Sequence, residues 1–134
     1  MIRQLAQAIR QHYLGATELQ DVLTGGLWFQ RGPQNETFPY AILYIIGADK
    51  EQFLGASNQM KRVQVQISIF SDATDGGDTI MLATEKFADA FDWCELHING
   101  YYSVKMENTL MGPISNIDDI WQSILNYEVW FVKE

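Results

Sequence analysis

The stretch "KRVQVQISIFSD", residues 61–72, decides the fold because its side chains alternate strictly between apolar and polar. Val63, Val65, Ile67 and Ile69 project to one side of an extended chain, and the intervening Gln and Ser residues project to the other. Such a pattern is typical of a strand with one buried face and one polar face. The segment therefore predicts a strand that packs one side on a hydrophobic core.

Four further segments have the composition of strands. Before the alternating strand, "LWFQ" (27–30) predicts a short strand, "RGPQNETF" (31–38) a loop, and "PYAILYIIGA" (39–48) a long buried strand. Proline is tolerated at its start because the first residue of a strand need not donate a ladder hydrogen bond. After it, "YYSVKMENTL" (101–110) and "SILNYEVWFVK" (123–133) predict two strands, joined by a loop at 111–122.

An amphipathic helix is predicted at the N-terminus, over residues 2–13. Its apolar residues recur at helical spacing: Ile2, Leu5, Ile9 and Tyr13. Gly15 ends it, and a short helical turn follows in "TELQDVL" (17–23) before Gly25-Gly26 breaks the pattern.

A second main helix is predicted within "DGGDTIMLATEKFADAFDW", residues 75–93, with Asp78 as its N-cap. One face is apolar and consists of Ile80, Ala83, Phe87 and Phe91. The opposite face is an acidic stripe of Asp78, Glu85, Asp89 and Asp92. The helix therefore packs its apolar face on the sheet and turns its acidic face away.

These elements predict a single α+β domain over residues 1–134. We expect a mostly antiparallel sheet of four to five strands with two main helices on one side, because neighbouring strands follow one another without helices between them. The side chains expected to be buried together are Ile42, Val65, Ile67, Phe87 and Phe91.

Composition and charge restrict the possible partners. The chain has 134 residues, 47% of them hydrophobic, and a net charge of −8, which suits a domain with a substantial core. No apolar run approaches the ~20 residues that span a bilayer, so we expect no membrane partner. The acidic residues concentrate beyond Asp72, which argues against a nucleic-acid clamp, because such a clamp needs a basic stripe. Other proteins are the expected partners.

Residue types that ligate metals or act as nucleophiles are scattered. His12 and His97 lie on different elements without a Cys or His at ligand spacing. Cys94 is the only cysteine, which favours a reducing compartment, and its acidic surroundings disfavour an activated thiolate. We interpret it as a packing residue. No catalytic, metal or cofactor site is predicted.

Two short patterns resemble functional motifs but have simpler interpretations. Gly76-Gly77 precedes a helix, but it lacks a Lys and is surrounded by Asp, so a helix-entry turn is favoured over a phosphate site. Asp118-Asp119 is an adjacent acidic pair that is able in principle to do acid–base work or bind a divalent ion. Isolated in a polar segment, it is interpreted as a solvated turn.

Exposed apolar residues are expected in two connections, 110–121 and the segment around Phe53. Contiguous apolar surface of this kind marks a protein interface. The candidate interface residues are Phe53, Leu54, Leu110, Met111, Ile114 and Trp121. The alternative is that both connections fold back and cap the core.

The order of these elements resembles that of the small tail completion and tail terminator proteins of tailed bacteriophages and prophages. The resemblance is carried by Gly25-Gly26, "LWFQ", a loop with Pro33-Gln34, Phe38-Pro39-Tyr40 opening a strand, and "VQVQISIFSD" followed by a turn and a helix. By residue pattern it covers 24–44 and 62–72. This chain departs from the family's pattern in its polar loop "RGPQNETF" and in its acidic helix.

The resemblance implies a structural protein rather than an enzyme, with no cofactor. Such a subunit forms a ring with copies of itself, six-fold by the resemblance, and contacts the tail-tube and head-completion proteins. It ends tail polymerisation and forms the tail side of the head–tail joint. It is made in the host bacterial cytoplasm and resides in the virion tail or neck. In a DNA conduit, the acidic stripe would face the lumen and repel phosphates; the alternative is an ordinary solvated helix face.

Three other functions remain open from the sequence alone. The first is a head–tail connector or minor tail protein. The second is a small α+β enzyme or ligand-binding module, which requires a pocket with convergent polar groups. The third is a cytoplasmic adaptor that binds one protein partner through its loops.

Overall fold

The structure is a computed structural model that describes residues 2–30, 37–52 and 59–133. Within these ranges the chain forms three helices and six strands. The helices are α1 (Ile2–Gly15), α2 (Thr17–Val22) and α3 (Asp78–Phe91). The strands are β1 (Gly26–Phe29), β2 (Tyr40–Gln52), β3 (Gln59–Ser71), β4 (Glu95–Leu96), β5 (Tyr101–Ile117) and β6 (Ile120–Lys133).

The strands form one sheet in the order β1-β2-β3-β6-β5-β4. β1 runs parallel to β2, and the other neighbouring pairs are antiparallel. The α+β class and the mostly antiparallel sheet agree with the prediction, but the six strands and three helices exceed the predicted four to five strands and two main helices. β4 was missed because it has only two residues, too few for alternation to show.

The hydrophobic core lies between the helices and one face of the sheet. Val65, Ile67, Phe87 and Phe91 are buried there as predicted, and the two phenyl rings stack with centroids 4.6 Å apart. Ile42 is the exception. It is buried, but its neighbours on both sides, Ala41 and Leu43, belong to the core cluster. Because successive side chains of a strand point to opposite faces, Ile42 lies on the sheet face away from Phe87.

Helix α1 contacts both β1 and β4, which are the two outermost strands of the sheet. The sheet is therefore strongly curled, with α1 lying between its edges. His12, near the end of α1, donates from Nε2 to the carbonyl oxygen of Ala90 at 2.6 Å, and its ring meets the Phe91 ring at 4.8 Å. The histidine thus fastens α1 to the end of α3, a structural role that agrees with its interpretation as a helix-end residue.

A long β5–β6 hairpin replaces the loop predicted at 111–122, so that prediction is wrong. The strands are joined only by Asp118 and Asp119, whose φ angles are 54° and 65°. Two left-handed residues make the tight turn that matches the twist of a hairpin, and Asp tolerates that conformation. The interpretation of Asp118-Asp119 as an exposed turn is confirmed. Pro113 fits inside β5 because this part of the strand is at the sheet edge.

The start of α3 differs from the prediction, because Asp78 is not the N-cap. Gly77 occupies that position with φ 90°, and no side chain caps the helix there. Instead Asp75 accepts hydrogen bonds from the backbone N–H of Thr79 at 3.0 Å and from its hydroxyl. The Thr79 hydroxyl is the main cause that holds the pKa of Asp75 below its usual value. A Cβ at Gly77 would lie 3.3 Å from the Trp121 ring, so glycine suits both the φ angle and the packing.

A buried polar contact joins α3 to β6. The Thr84 hydroxyl lies 2.7 Å from the Ile80 carbonyl oxygen and 2.8 Å from Ser123 Oγ. Because a hydroxyl has a single proton, Thr84 donates to the carbonyl and accepts from Ser123. Thr84 and Ser123 are both buried, so the Ser123 hydroxyl needs Thr84 as its partner.

Candidate subunit interface

The side chains considered for chemistry from the sequence are His12, His97 and Cys94, and the structure places both histidines in the lining of one pocket, with Glu95. Cys94 is half-buried, and burial, with a further contribution from the charge of Asp92, raises the pKa of its thiol to about 12. A thiol with so high a pKa is a packing group rather than a nucleophile. In the described ranges, no three His, Cys, Asp or Glu side chains come together as a metal site requires.

The C-terminal half of β5, residues 109–117, is an open sheet edge. β4 pairs with β5 only at Val104 and Lys105, and backbone hydrogen bonds continue as far as Met106. Asp92 Oδ1 then accepts the Asn108 N–H at 3.0 Å, which closes this paired region. From residue 109 to 117, no described strand covers the outer side of β5. Unpaired edges of this kind are sites where another chain can add.

This open edge carries apolar side chains that solvent reaches. We call the set the β5 apolar edge: Leu110, Met111, Ile114 and Ile117, with exposed fractions of 52%, 53%, 41% and 68%. Three of them are interface candidates from the sequence, and the structure brings these three together on one strand. The pairing with β6 shifts register between Asn108 and Leu110 and between Met111 and Ile114. Such bulges re-aim side chains and interrupt regular pairing.

The other sequence candidates have different positions. Trp121 is half-buried, packs against the core and lies next to Gly77. Its indole therefore packs the start of β6 against the core and the start of α3. A role of Trp121 in subunit contact stays a prediction. Phe53 and Leu54 lie outside the described residues.

An apolar groove between α1 and β1 forms a second surface that sequence reasoning missed. We call it the α1–β1 groove; its volume is about 390 Å³. Its lining includes Ile2, Ile9, Leu27, Trp28 and Phe29, together with the basic side chains of Arg3 and Arg10. Ile2, Trp28 and Phe29 are 47%, 41% and 44% exposed. The sequence did contain one signal of this groove: the three large apolar side chains of "LWF" have more surface than a four-residue strand can bury by itself.

Gly25, the residue before β1, fixes the position of β1 through a close approach of two backbone segments. A Cβ on Gly25 would lie 1.8 Å from the Thr37 carbonyl oxygen. Gly25 also donates its N–H to the Pro39 carbonyl at 2.8 Å, and its own carbonyl accepts from Trp28 Nε1 at 2.7 Å. The close approach positions β1 beside β2, and with it one wall of the α1–β1 groove.

The acidic stripe of α3 is exposed, with Asp78, Glu85, Asp89 and Asp92 all reached by solvent, and whether it faces a lumen stays a prediction. Asp92 has an additional structural role, since it holds the Asn108 N–H. Lys86 lies on the flank of the stripe and contacts Glu18 of α2 at 3.5 Å. The stripe is therefore a negative surface bounded on one side by an ion pair.

None of the helices in the described part of the chain has the length and hydrophobicity needed to cross a membrane. A family model described as Tail completion protein gp17 matches residues 7–105, from within α1 to the first residues of β5. The match covers the Gly25 junction, the alternating strand and α3. Among curated proteins, none matches this chain.

Solved structures share the fold over nearly the whole chain. A chain from the virion of a native gene transfer agent (GTA) particle superposes with a TM-score of 0.68 at 14% identity, covering 96% of this chain and 93% of that one. A second solved structure also gives a TM-score of 0.68 at 12% identity, covering 100% of this chain and 96% of that one. At these identities the likeness concerns the fold.

Proposed function

The chain belongs to the tail completion protein gp17 family, and from this premise we propose that its copies close a ring on the end of the phage tail tube. The ring stops polymerisation of the tube and forms the tail side of the joint to the head. Its partners are further copies of the chain, in six-fold arrangement, then the tail-tube protein and the head-completion protein. The function is structural and non-enzymatic.

The observation that carries this proposal is the β5 apolar edge. Four large apolar side chains stand exposed on the part of β5, residues 109–117, whose outer side pairs with no described strand. A protein that acts alone in solution gains nothing from such a surface, whereas an assembly protein buries it against another subunit. The likeness to a chain of the virion of a native gene transfer agent particle fits an assembly role.

The test uses tails assembled without their terminator. Purified protein added to such tails should stop growth at uniform length and restore head joining, as measured by electron microscopy and by the yield of complete particles. A variant with Met111→Ser and Ile114→Ser should fold normally but fail to cap. Tyr102→Ser is the matched control, since Tyr102 is 78% exposed on the same strand but outside the β5 apolar edge.

Two results would contradict the proposal. If the parental protein leaves tail length and head joining unchanged, the chain is not a terminator. If the doubly substituted protein caps tails as well as the parental protein does, the ring does not depend on the β5 apolar edge.

We further propose that the acidic stripe of α3 faces the lumen of the ring. DNA passes through a tail, and a negative wall repels phosphates and keeps the duplex from sticking. The charge reversal Glu85→Lys with Asp89→Lys should leave capping intact but slow DNA ejection, and added salt should relieve the delay because it screens these charges. A reconstruction of capped tails in which α3 lies on the outer wall would reduce the stripe to a solvated helix face.

A further inference from the structure

We propose that the α1–β1 groove of one copy receives the β5 apolar edge of the next copy. This inference rests on the proposed ring and names the two surfaces that meet in it. The contact joins two different patches on each subunit, as a head-to-tail ring requires.

The first argument is the register of the sheet. Phe29 of β1 pairs with Leu43, Leu43 with Ile67, Ile67 with Leu125, and Leu125 with Met111 of β5. The three central side chains of this row are buried in the core. The two at its ends, Phe29 and Met111, are 44% and 53% exposed. One row of paired residues therefore extends from the core to both edges of the sheet, and its two end members are exposed to solvent.

A second row behaves in the same way. Leu27 of β1 is linked through Ala41, Ile69 and Ser123 to Ile114 of β5. Leu27 lines the α1–β1 groove, and Ile114 belongs to the β5 apolar edge. Placing two copies side by side would continue both rows from one subunit into the next, with Met111 and Ile114 entering the groove beneath α1.

The direction of the strands also fits. β1 runs parallel to β2, β2 is antiparallel to β3, β3 to β6, and β6 to β5. β1 and β5 therefore run in opposite directions. The β5 edge of one copy would lie antiparallel to the β1 edge of the next, the arrangement that allows strand addition between chains.

Charge complementarity supports a second copy as the occupant. α1 contains Arg3 and Arg10 and no acidic residue, and both arginines line the groove. The β5–β6 hairpin ends in the exposed pair Asp118-Asp119. An acidic turn beside an apolar strand thus meets an apolar groove with a basic rim, and opposite charges of this kind guide docking and fix its register.

Thiol cross-linking tests the contact directly. In a Cys94→Ala background, Phe29→Cys and Met111→Cys proteins are mixed, added to tails lacking their terminator, and treated with a short bis-maleimide. Cross-linked dimers should form rapidly in the mixture and only slowly with either protein alone. Tyr102→Cys mixed with Phe29→Cys is the matched control, and circular dichroism of each variant confirms its fold.

The outcomes separate this inference from the proposed function. Capping without cross-linking of the Phe29–Met111 pair, or equally fast cross-linking of the control pair, overturns the inference and leaves the function standing. Cross-linking of Phe29→Cys to the tail-tube protein, identified by mass spectrometry, would make that protein the occupant instead of a second copy. If the cysteine variants do not cap tails but the parental protein does, a second set of variants, with altered charges at the rim of the groove, tests the proposed contact.

Those charge variants change the rim without touching the apolar row. Arg3→Glu with Arg10→Glu should slow capping by about tenfold at low salt, because docking loses its electrostatic guidance. Asp118→Asn with Asp119→Asn, which keeps residues that tolerate the left-handed turn, should slow it less. Lys105→Glu is the control for a charge reversal outside the rim. It changes the net charge by −2, against −4 for the two arginine substitutions, and an equal effect per unit of charge would contradict the proposed contact.

Discussion

The centre of the sheet and its β5 edge hold similar side chains in the same rows, but only the centre is covered. Ile67 and Met111 belong to one row, and their exposed fractions are 0% and 53%. At the centre α3 covers the row, while at the edge no described element does so. The difference separates two kinds of hydrophobic surface: the centre stabilises a single copy, and the edge is the surface that we propose for contact between copies.

The largest effect is expected at the centre, from Phe87→Ala. Its ring is fully buried between Phe91 and Tyr127, so truncation leaves a cavity and should lower the free energy of unfolding by about 3–5 kcal/mol. Met81→Ala on the exposed face of the same helix is the control. A chemical-denaturation midpoint that Phe87→Ala leaves unchanged would show that α3 does not pack on the sheet in this way.

A smaller effect is expected from the buried hydroxyl pair. Thr84→Val removes the partner of Ser123 and should lower the free energy of unfolding by about 1–3 kcal/mol. Adding Ser123→Ala should restore part of the loss, because no unpaired hydroxyl then stays buried. Urea denaturation of the two single variants and the double variant measures this coupling, and additive losses would argue against the pair.

A pH-dependent effect is expected at the start of α3. The hydrogen bonds from Thr79 lower the pKa of Asp75 below 3.8, so the folded form binds its proton less readily than the unfolded form does. The resulting stabilisation is complete above pH 3.8 and is lost as the pH falls through the lowered pKa. Asp75→Asn should therefore destabilise the protein at neutral pH and differ less from the parental protein in acid.

Thermal denaturation of both proteins from neutral to acidic pH measures that difference. The effect should be small because Asp75 is exposed. A difference that grows on acidification would contradict the role assigned to the Asp75 carboxylate.

The smallest effect on stability is expected at the β5 apolar edge. Met111→Ala should change the free energy of unfolding of the free subunit by less than about 0.5 kcal/mol. Met106→Ala is a matched control on the same strand, since Met106 is fully buried and its truncation should cost about 2–5 kcal/mol. Equal losses in denaturation experiments would remove the distinction between centre and edge.

The sequence predicted the elements whose side chains keep a regular period. The alternation of Val63 to Ile69 located β3, and the helical spacing of Ile80 to Phe91 located the apolar face of α3. These patterns persist because one face is buried along the whole element. The assignment of Ile42 failed because a continuous apolar run shows no period, so it cannot tell which face a given residue occupies.

The C-terminal half of β5 was predicted to be a loop because Gly112-Pro113 and two bulges disrupt the alternation of apolar and polar side chains. An edge position makes both tolerable, but no local pattern reveals that a strand will be at an edge. The α1–β1 groove combines residues from α1 and β1 with Leu43 of β2. Only the packing of distant segments creates it, so sequence periodicity could not reveal it.

The irregular path of β5 affects how readily free copies of the protein would aggregate. A straight apolar strand edge lets identical chains stack without limit, and head-to-tail contacts that fail to close grow into fibres. Pro113 offers no N–H to such a stack, and the bulges on either side of Met111 break its regular spacing. Leu110 and its neighbours can thus stay exposed on a free subunit with a reduced risk of amyloid-like association.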